Sequence, residues 1–387
     1  MIHPCEAEMN TRFAEADFIP RVLVAPDSFK GSLDSGSVAL AMENAARQAG
    51  CDVDRCPLGD GGDGTLAVIA EALQLEIIHE RVPHPLLNLA ESGESIDARW
   101  GLAKDGTGYI EMAQASGLHL VPAPLRDPMH ATSWGTGLLI SRAIEHGCRR
   151  IVIMMGGTAT CDMGLGMLQA IGMGLFGADG RPISSMFSPS ALGQITRVEA
   201  PDLGDTRFEV WADVRSCLLG TDSSMLYARQ KGATEAQVDE LESGYRRILR
   251  VAGPGNLRVD DLMTGAAGGA SFGMGFFLGA SLHHGARKVM QLLNVEDRCK
   301  QADLVITGEG ALDEQTRQGK CCHEILSIAL GLEIDAIMVV GTCSLDDPGV
   351  PVIDLSREHG VIESMERPMD CIRQSLLDML LRMRGRA

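Results

Sequence analysis

Aromatic residues make up only 4% of the 387-residue sequence, which excludes a fold or binding face built mainly from stacked rings. Cations are also short: 34 Lys and Arg against 52 Asp and Glu leave a formal charge of −18. Nucleic-acid surfaces need clustered cations to release counterions, so that class of partner is excluded. A phosphorylated small ligand is not excluded, because local amides, a few lysines and Mg²⁺ can hold phosphate inside an acidic protein. Several chemistries lack their signatures. There is no CxxC pair, no HExxH and no Walker GxxxxGK[ST] loop. The eleven cysteines are scattered, and Cys148 beside IVIMM and Cys343 just after MVVG lie in apolar runs where a reduced thiol packs as a small hydrophobe. A reducing cytoplasm is the expected setting.

Membrane insertion is not expected either. The uncharged run Thr264 to Leu282, TGAAGGASFGMGFFLGASL, is nearly long enough to span a bilayer. Its six glycines instead predict a buried helix whose small residues let it pack closely. The first twenty residues are too acidic for a transit peptide and lack a signal-peptide core; they read as a disordered or loosely docked extension. The pair His283 and His284 reads as a polar cap at a helix end.

What the sequence does have is alternation. Short apolar runs, RVLVAP (21–26), RRIVIMM (149–155), ADLVITG (302–308) and DAIMVVGT (335–342), are followed by helical patterns. Continuous apolar strands joined through helices predict a parallel sheet covered on both faces, and hence an α/β class. The region 76–130 reads instead as antiparallel strands and turns, which predicts a second domain with its own sheet. A charged amphipathic helix is predicted over 233–253, after the strand FEVWADV (208–214).

Four loops concentrate polar residues beside glycine. The first strand ends in APDSFKGSLDSGS, placing Asp27, Ser28, Lys30 and Ser32 at its carboxyl end, where ligands collect in open α/β sheets. Ser32, Asp34 or Ser35 is expected to cap the next helix, whereas Lys30 opposes the helix dipole unless an anion is bound there. In PLGDGGDGT, Asp60 and Asp63 lie three apart among four glycines, which suits either a plain turn or a Mg²⁺ held through water. In GGTATCDMGLG, the amides of Gly156 and Gly157 and the hydroxyls of Thr158 and Thr160 form either an anion nest or a close strand-to-helix turn. In ITGEGALDEQTRQGK, Glu309 and Asp313 follow a buried strand and Lys320 opens the next helix; charge in such a place costs stability unless used. Lys231 in RQKGA and Asp213 at the end of FEVWAD are weaker members of the same category.

These residues, with IEMAQASGL, RDP followed by TSWGTG, and TGAAGGASFGMG, occur in an order that resembles the bacterial glycerate kinase family of the type forming 2-phosphoglycerate. The resemblance covers about 21–385. It implies ATP and Mg²⁺ as cosubstrate and cofactor, D-glycerate as acceptor, and two α/β domains with the active site in the cleft between them. One domain is doubly wound and flavodoxin-like, from 21–75 plus 285–387; the other is the mixed α/β segment 76–284. The implied roles place Asp213, Asp60, Glu309 and Lys30 in catalysis, with Asp213 as the base. Asp27, Ser28, Lys30, Asp63 and Lys320 would bind the acceptor. Gly156, Gly157, Thr158, Thr160 and Asp162 would hold the nucleotide or its phosphates, and Asp213, Glu309 and Asp313 the metal. A homo-oligomer is compatible with this reading.

Two stretches depart from the family pattern. GGSATNDGG is here GGTATCDMG, so Cys161 and Met163 replace Asn and Gly. CDVTNPLxG is here ADVRSCLLG, keeping Asp213 but losing Thr, Asn and Pro, and the GAS just beyond becomes DSSMLY. Those changes leave two rivals open: a kinase for another small hydroxy acid such as erythronate or tartronate, and a catalytically silent protein that binds glycerate or nucleotide.

Overall fold

The computed structural model describes residues 13, 15, 18–183, 185–220, 223–313 and 320–385. Most of the expected N-terminal extension lies outside the described residues, but Phe13 is buried and belongs to the core beneath the first sheet. The chain divides into two compact units, Met1–Asp60 with Ala286–Ala387, and Gly61–Gly285.

Strands are numbered in chain order. The first unit holds β1 (Arg21–Val24), β2 (Asp52–Arg55), β11 (Leu304–Leu312), β12 (Asp335–Cys343) and β13 (Val352–Asp354). They form a five-stranded sheet in the order β13-β12-β11-β1-β2, and every pairing is parallel. Counted within the unit, that order is 2-1-3-4-5, the flavodoxin-like arrangement expected from the sequence. Alternate residues along each strand face opposite sides. Val22, Val24, Leu304, Ile306 and Val339 therefore share one core with the helices Ser35–Gln48 and Pro368–Met383. Leu23, Val305 and Met338 are buried as well, and the helix Cys321–Gly331 packs on β11 and β12. Burial on both faces explains why these strands read as unbroken apolar runs. Asp34 caps the first of these helices, accepting from the Ser37 amide at 2.8 Å.

The second unit holds β3 (Glu76–Pro83), β4 (Ser95–Leu102), β5 (Thr107–Glu111), β6 (Arg150–Met155), β9 (Arg207–Ala212) and β10 (Ser281–His284), with a separate ribbon of β7 (Gly174–Phe176) and β8 (Arg197–Glu199). The main sheet runs β10-β9-β6-β5-β4-β3. β3, β4 and β5 pair antiparallel, while β5, β6, β9 and β10 are parallel. The helix Glu235–Ala252 carries a capping box between Thr234 and Gln237 and buries Val238, Leu241, Tyr245 and Ile248, as its amphipathic pattern predicts.

Three sequence expectations change. The first unit ends at Asp60 and not near 75, because the helix Thr65–Leu73 packs on β4 and β5. The segment 264–282 is no single helix: Ala267, Gly268 and Gly269 all have positive φ, and only the stretch after them is helical. Among the described residues no helix is long and apolar enough to cross a membrane. His283 and His284 end β10, which pairs with β9, and His284 directly precedes the helix Gly285–Leu292, so the pair does lie at a helix end but as part of a strand. Ten cysteines fall among the described residues, and all are free thiols.

Candidate active site

In the first unit the charged loops meet where the sheet order reverses, between β1 and β11. The Ala25 amide donates to Ile306 O at 2.8 Å and the Asp27 amide to Gly308 O at 2.9 Å, so pairing carries β1 into its loop and fixes Asp27 beside the end of β11. Asp27, Asp60 and Glu309 are all buried. Lys30 Nζ lies 3.4 Å from Asp60 Oδ2, and Lys320 Nζ lies 3.8 Å from Glu309 Oε2. Asp27, Ser28, Lys30, Glu309 and Lys320 line one pocket of about 220 Å³. Asp313, one residue beyond β11, does not line it.

Burial pushes the Asp27 carboxyl up to about 7, and the negative charge of Asp60 adds to the rise while Lys30 opposes it. Negative charge is thus in excess at this edge. Carboxylate oxygens are the hard donors that Mg²⁺ prefers, and a divalent cation would relieve the repulsion. Among the described residues no three His, Cys, Asp or Glu side chains group into a metal cage.

In the second unit the other motifs converge on the loop after β6. A Cβ on Gly156 would strike the Asp213 carboxylate and Gly62 Cα, and one on Gly157, whose φ is +64°, would strike Asp63 Cβ. The ends of GDGGDGT, GGTATCD and FEVWAD therefore touch, and glycine is required by that approach. IEMAQASGL clamps the same loop: the Leu118 amide donates to Gly157 O at 2.7 Å and the Ala159 amide to Ser116 O at 2.9 Å. Lys231 is buried and donates to Thr158 Oγ1 at 3.2 Å and to Thr160 O at 2.7 Å. Two hydrogen bonds from a buried cation thus fix the shape of the loop.

Asp162 has no exposed surface. Its carboxylate accepts from the Ser133 amide and hydroxyl and from the amides of Gly164 and Gly166. It therefore ties the loop to the TSWGTG segment from within, although the sequence pattern suggested a ligand contact. Thr160 is likewise fully buried, while Thr158 keeps a small exposed surface.

The run GAAGGAS supports this loop from its other side. Gly268, at φ +64°, has no room for a Cβ against Thr160 O, and its own carbonyl accepts from the Met163 amide at 3.1 Å. Tyr245 OH lies 2.8 Å from Cys161 O and 2.7 Å from Gly268 O. Met163, standing where the family pattern has glycine, has φ +52° and is fully buried. The left-handed conformation costs an L-residue roughly 1–2 kcal/mol, while its buried side chain contributes roughly 1.5–3 kcal/mol. Met163→Gly loses the second and relieves the first; Met163→Ala loses much of the second and relieves nothing. Denaturant unfolding should therefore show the glycine variant equal to or more stable than the alanine variant, reversing their usual order. A clear alanine advantage would contradict this balance.

Two polar residues were not legible as site neighbours. Glu111, at the end of β5, is fully buried, accepts from the Leu66 amide at 2.8 Å, and is pushed above its usual value by burial. Its one signal was a carboxylate directly after the apolar run GYI. His119 Nδ1 lies 3.5 Å from Asp63 Oδ2, and the hydrogen bond to Asp63 raises its imidazole above the ordinary value. Nothing in ASGLHL marks that histidine except its place after a clamped turn.

A doubly wound sheet with cations and carboxylates at its switch point, and a glycine-rich loop seated on a buried lysine, define a kinase for a small molecule. Residues 22–379 match the model of the glycerate kinase family, and the chain belongs to that family. It is 38% identical to glycerate 2-kinase of Escherichia coli K12 over 355 residues, 88% of each chain. It is 36% identical to a glycerate kinase of Bacillus subtilis 168 over 351 residues, again 88% of each. The crystal structure of glycerate kinase 2 from Salmonella typhimurium LT2 superposes with a TM-score of 0.76 at 32% identity, covering 95% of this chain and 99% of that one.

Proposed function

We propose that the protein transfers the γ-phosphoryl group of ATP to O2 of D-glycerate, with Mg²⁺, giving 2-phospho-D-glycerate and ADP. The observation that carries this reading is the convergence of Lys30 and Lys320 with the buried carboxylates Asp27, Asp60 and Glu309 at the switch point of the first sheet. Phosphoryl transfer needs little covalent help from a protein; it needs positioning and charge neutralisation. Lys30 and Lys320 supply positive charge for a phosphate or the glycerate carboxylate. The amides of Gly156 and Gly157 and the hydroxyl of Thr158 hold a phosphoryl group. Asp213, half-buried beside Gly156, takes the proton of the attacking hydroxyl as the bond from Pγ to ADP breaks. Asp60 and Glu309 are the residues that would hold Mg²⁺, which when bound neutralises charge on the phosphate oxygens.

Comparing ADP release with D-glycerate, erythronate and tartronate tests the acceptor. The highest kcat/KM is expected with D-glycerate; preference for either of the others would transfer the function to that acid. Nucleotide binding without any turnover would instead make the chain a silent binder.

The Asp27 carboxyl gives a pH signature. Its folded value near 7 lies above the ordinary 3.8, so between about pH 4 and 7 the fold holds a proton that the unfolded chain releases. Stability from this group is therefore present at the low end of that window and is lost as pH rises through it, by at most about 4 kcal/mol. Mg²⁺ binding should recover part of that loss. The rise in unfolding temperature on adding Mg²⁺ is expected to be larger at pH 8 than at pH 5.5, and to vanish in Glu309→Gln with Asp60→Asn. An equal rise at both pH values would remove the cation from this cluster.

A further inference from the structure

Several large apolar side chains that are exposed among the described residues crowd into one stretch, Val361, Ile362, Met365 and Met369. Val361 is 63% exposed and Met365 59%, and they stand four apart on the helix Val361–Glu366, so they share a face. Both line the pocket that Asp27, Lys30, Glu309 and Lys320 also line. One cavity thus has a charged end and an apolar end. In the same lining Ser356 Oγ donates to Gly341 O at 2.7 Å and lies 3.3 Å from Ser364 Oγ, which gives the wall fixed hydroxyls.

A ligand matched to this cavity is anionic at one end and presents a flat apolar face with hydrogen-bonding edges at the other. Glycerate has no apolar portion to cover Val361 and Met365. A nucleoside phosphate has both parts. At about 220 Å³ the cavity is smaller than the roughly 300–1,000 Å³ of sites that enclose a whole drug-sized ligand, so it takes one portion of the nucleotide. We propose that this pocket of the flavodoxin-like unit is the nucleoside subsite, with the base against Val361 and Met365 and the phosphate chain leading to Lys30 and Lys320. This deepens the kinase reading and rests on it for the choice of ATP. Of the two roles the resemblance left to the loop Gly156–Thr160, the nucleotide or its phosphates, this subsite leaves only the phosphates.

The test uses the full chain and the double variant Val361→Asn with Met365→Gln, whose two sites are exposed, so the fold is retained. Calorimetric titration is expected to show ADP affinity reduced about tenfold, while inorganic tripolyphosphate, which lacks a base, binds both proteins alike. The KM for D-glycerate should stay within about twofold. Unchanged ADP affinity, or a rise confined to the glycerate KM, would overturn the assignment. So would a change of oligomeric state in sedimentation with ADP affinity intact, which would make the apolar stretch a contact between copies. ADP binding that depends on Val361 and Met365 in a wild-type protein that never turns over ATP would sink the kinase reading and leave the subsite standing. Glycerate-dependent turnover with ADP affinity indifferent to the two substitutions would do the reverse.

Discussion

Asp213→Asn is expected to lower kcat for glycerate-dependent ADP release roughly 100-fold or more, the ordinary contribution of a positioned general base. Asp213 follows β9 directly, where the parallel pairing with β6 ends, and its amide donates to Met155 O at 3.3 Å. The backbone thus sets the side chain against Gly156 before any ligand arrives. Asparagine keeps the shape of the carboxylate and its packing on that glycine, but cannot accept a proton. The unfolding free energy should change by less than about 0.5 kcal/mol, as for other substitutions that create neither a cavity nor a buried unpaired group. The KM for ATP should hold while kcat falls, which is the pattern of an interaction made only in the transition state. An unchanged kcat would remove Asp213 from the chemistry and leave it as a binding residue.

The second large effect falls on stability. Asp162→Ala is expected to cost about 3 kcal/mol or more, as befits deletion of the shared acceptor of a buried hydrogen-bond network. The carboxylate accepts at 2.9 and 2.7 Å from Ser133 and at 3.0 and 3.2 Å from the amides of Gly164 and Gly166. Alanine strands those donors in the core, at roughly 1–3 kcal/mol for each one left unsatisfied. Asn restores one acceptor but turns an NH₂ toward donors, so it should fall between wild type and alanine. Urea unfolding of the three proteins checks the order. A loss below about 1 kcal/mol for alanine would mean that water replaces the carboxylate, and that Asp162 is no brace.

Much of the fold could be read from the sequence for a plain physical reason. Strands buried on both faces, such as β6 and β11, leave unbroken apolar runs, and the amphipathic helix Glu235–Ala252 leaves its period. The charged residues at strand ends, Asp27, Asp213 and Glu309, were legible because a carboxylate directly after an apolar run has few structural uses. What was not legible depends on contacts between distant segments. Asp162 looks like Asp63 in sequence, both in glycine-rich loops after strands, yet one is sealed in the core against Ser133 and the other faces His119. The run GAAGGAS suggested a helix because composition cannot announce three consecutive left-handed residues. Gly268 answers to the backbone of Thr160, more than a hundred residues earlier, and Gly265 to that of Cys217. Lys231 was singled out only weakly, although it is buried and bonds Thr158 and Thr160 of the glycine-rich loop.

Phosphorus NMR of the product formed from ATP, Mg²⁺ and D-glycerate tests the central claim most directly. The account predicts one 2-phospho-D-glycerate for each ADP released, with the phosphorus coupled to the single C2 proton. Phosphorus coupled to the two C3 protons, or ADP and inorganic phosphate with no phosphorylated acid, would contradict it.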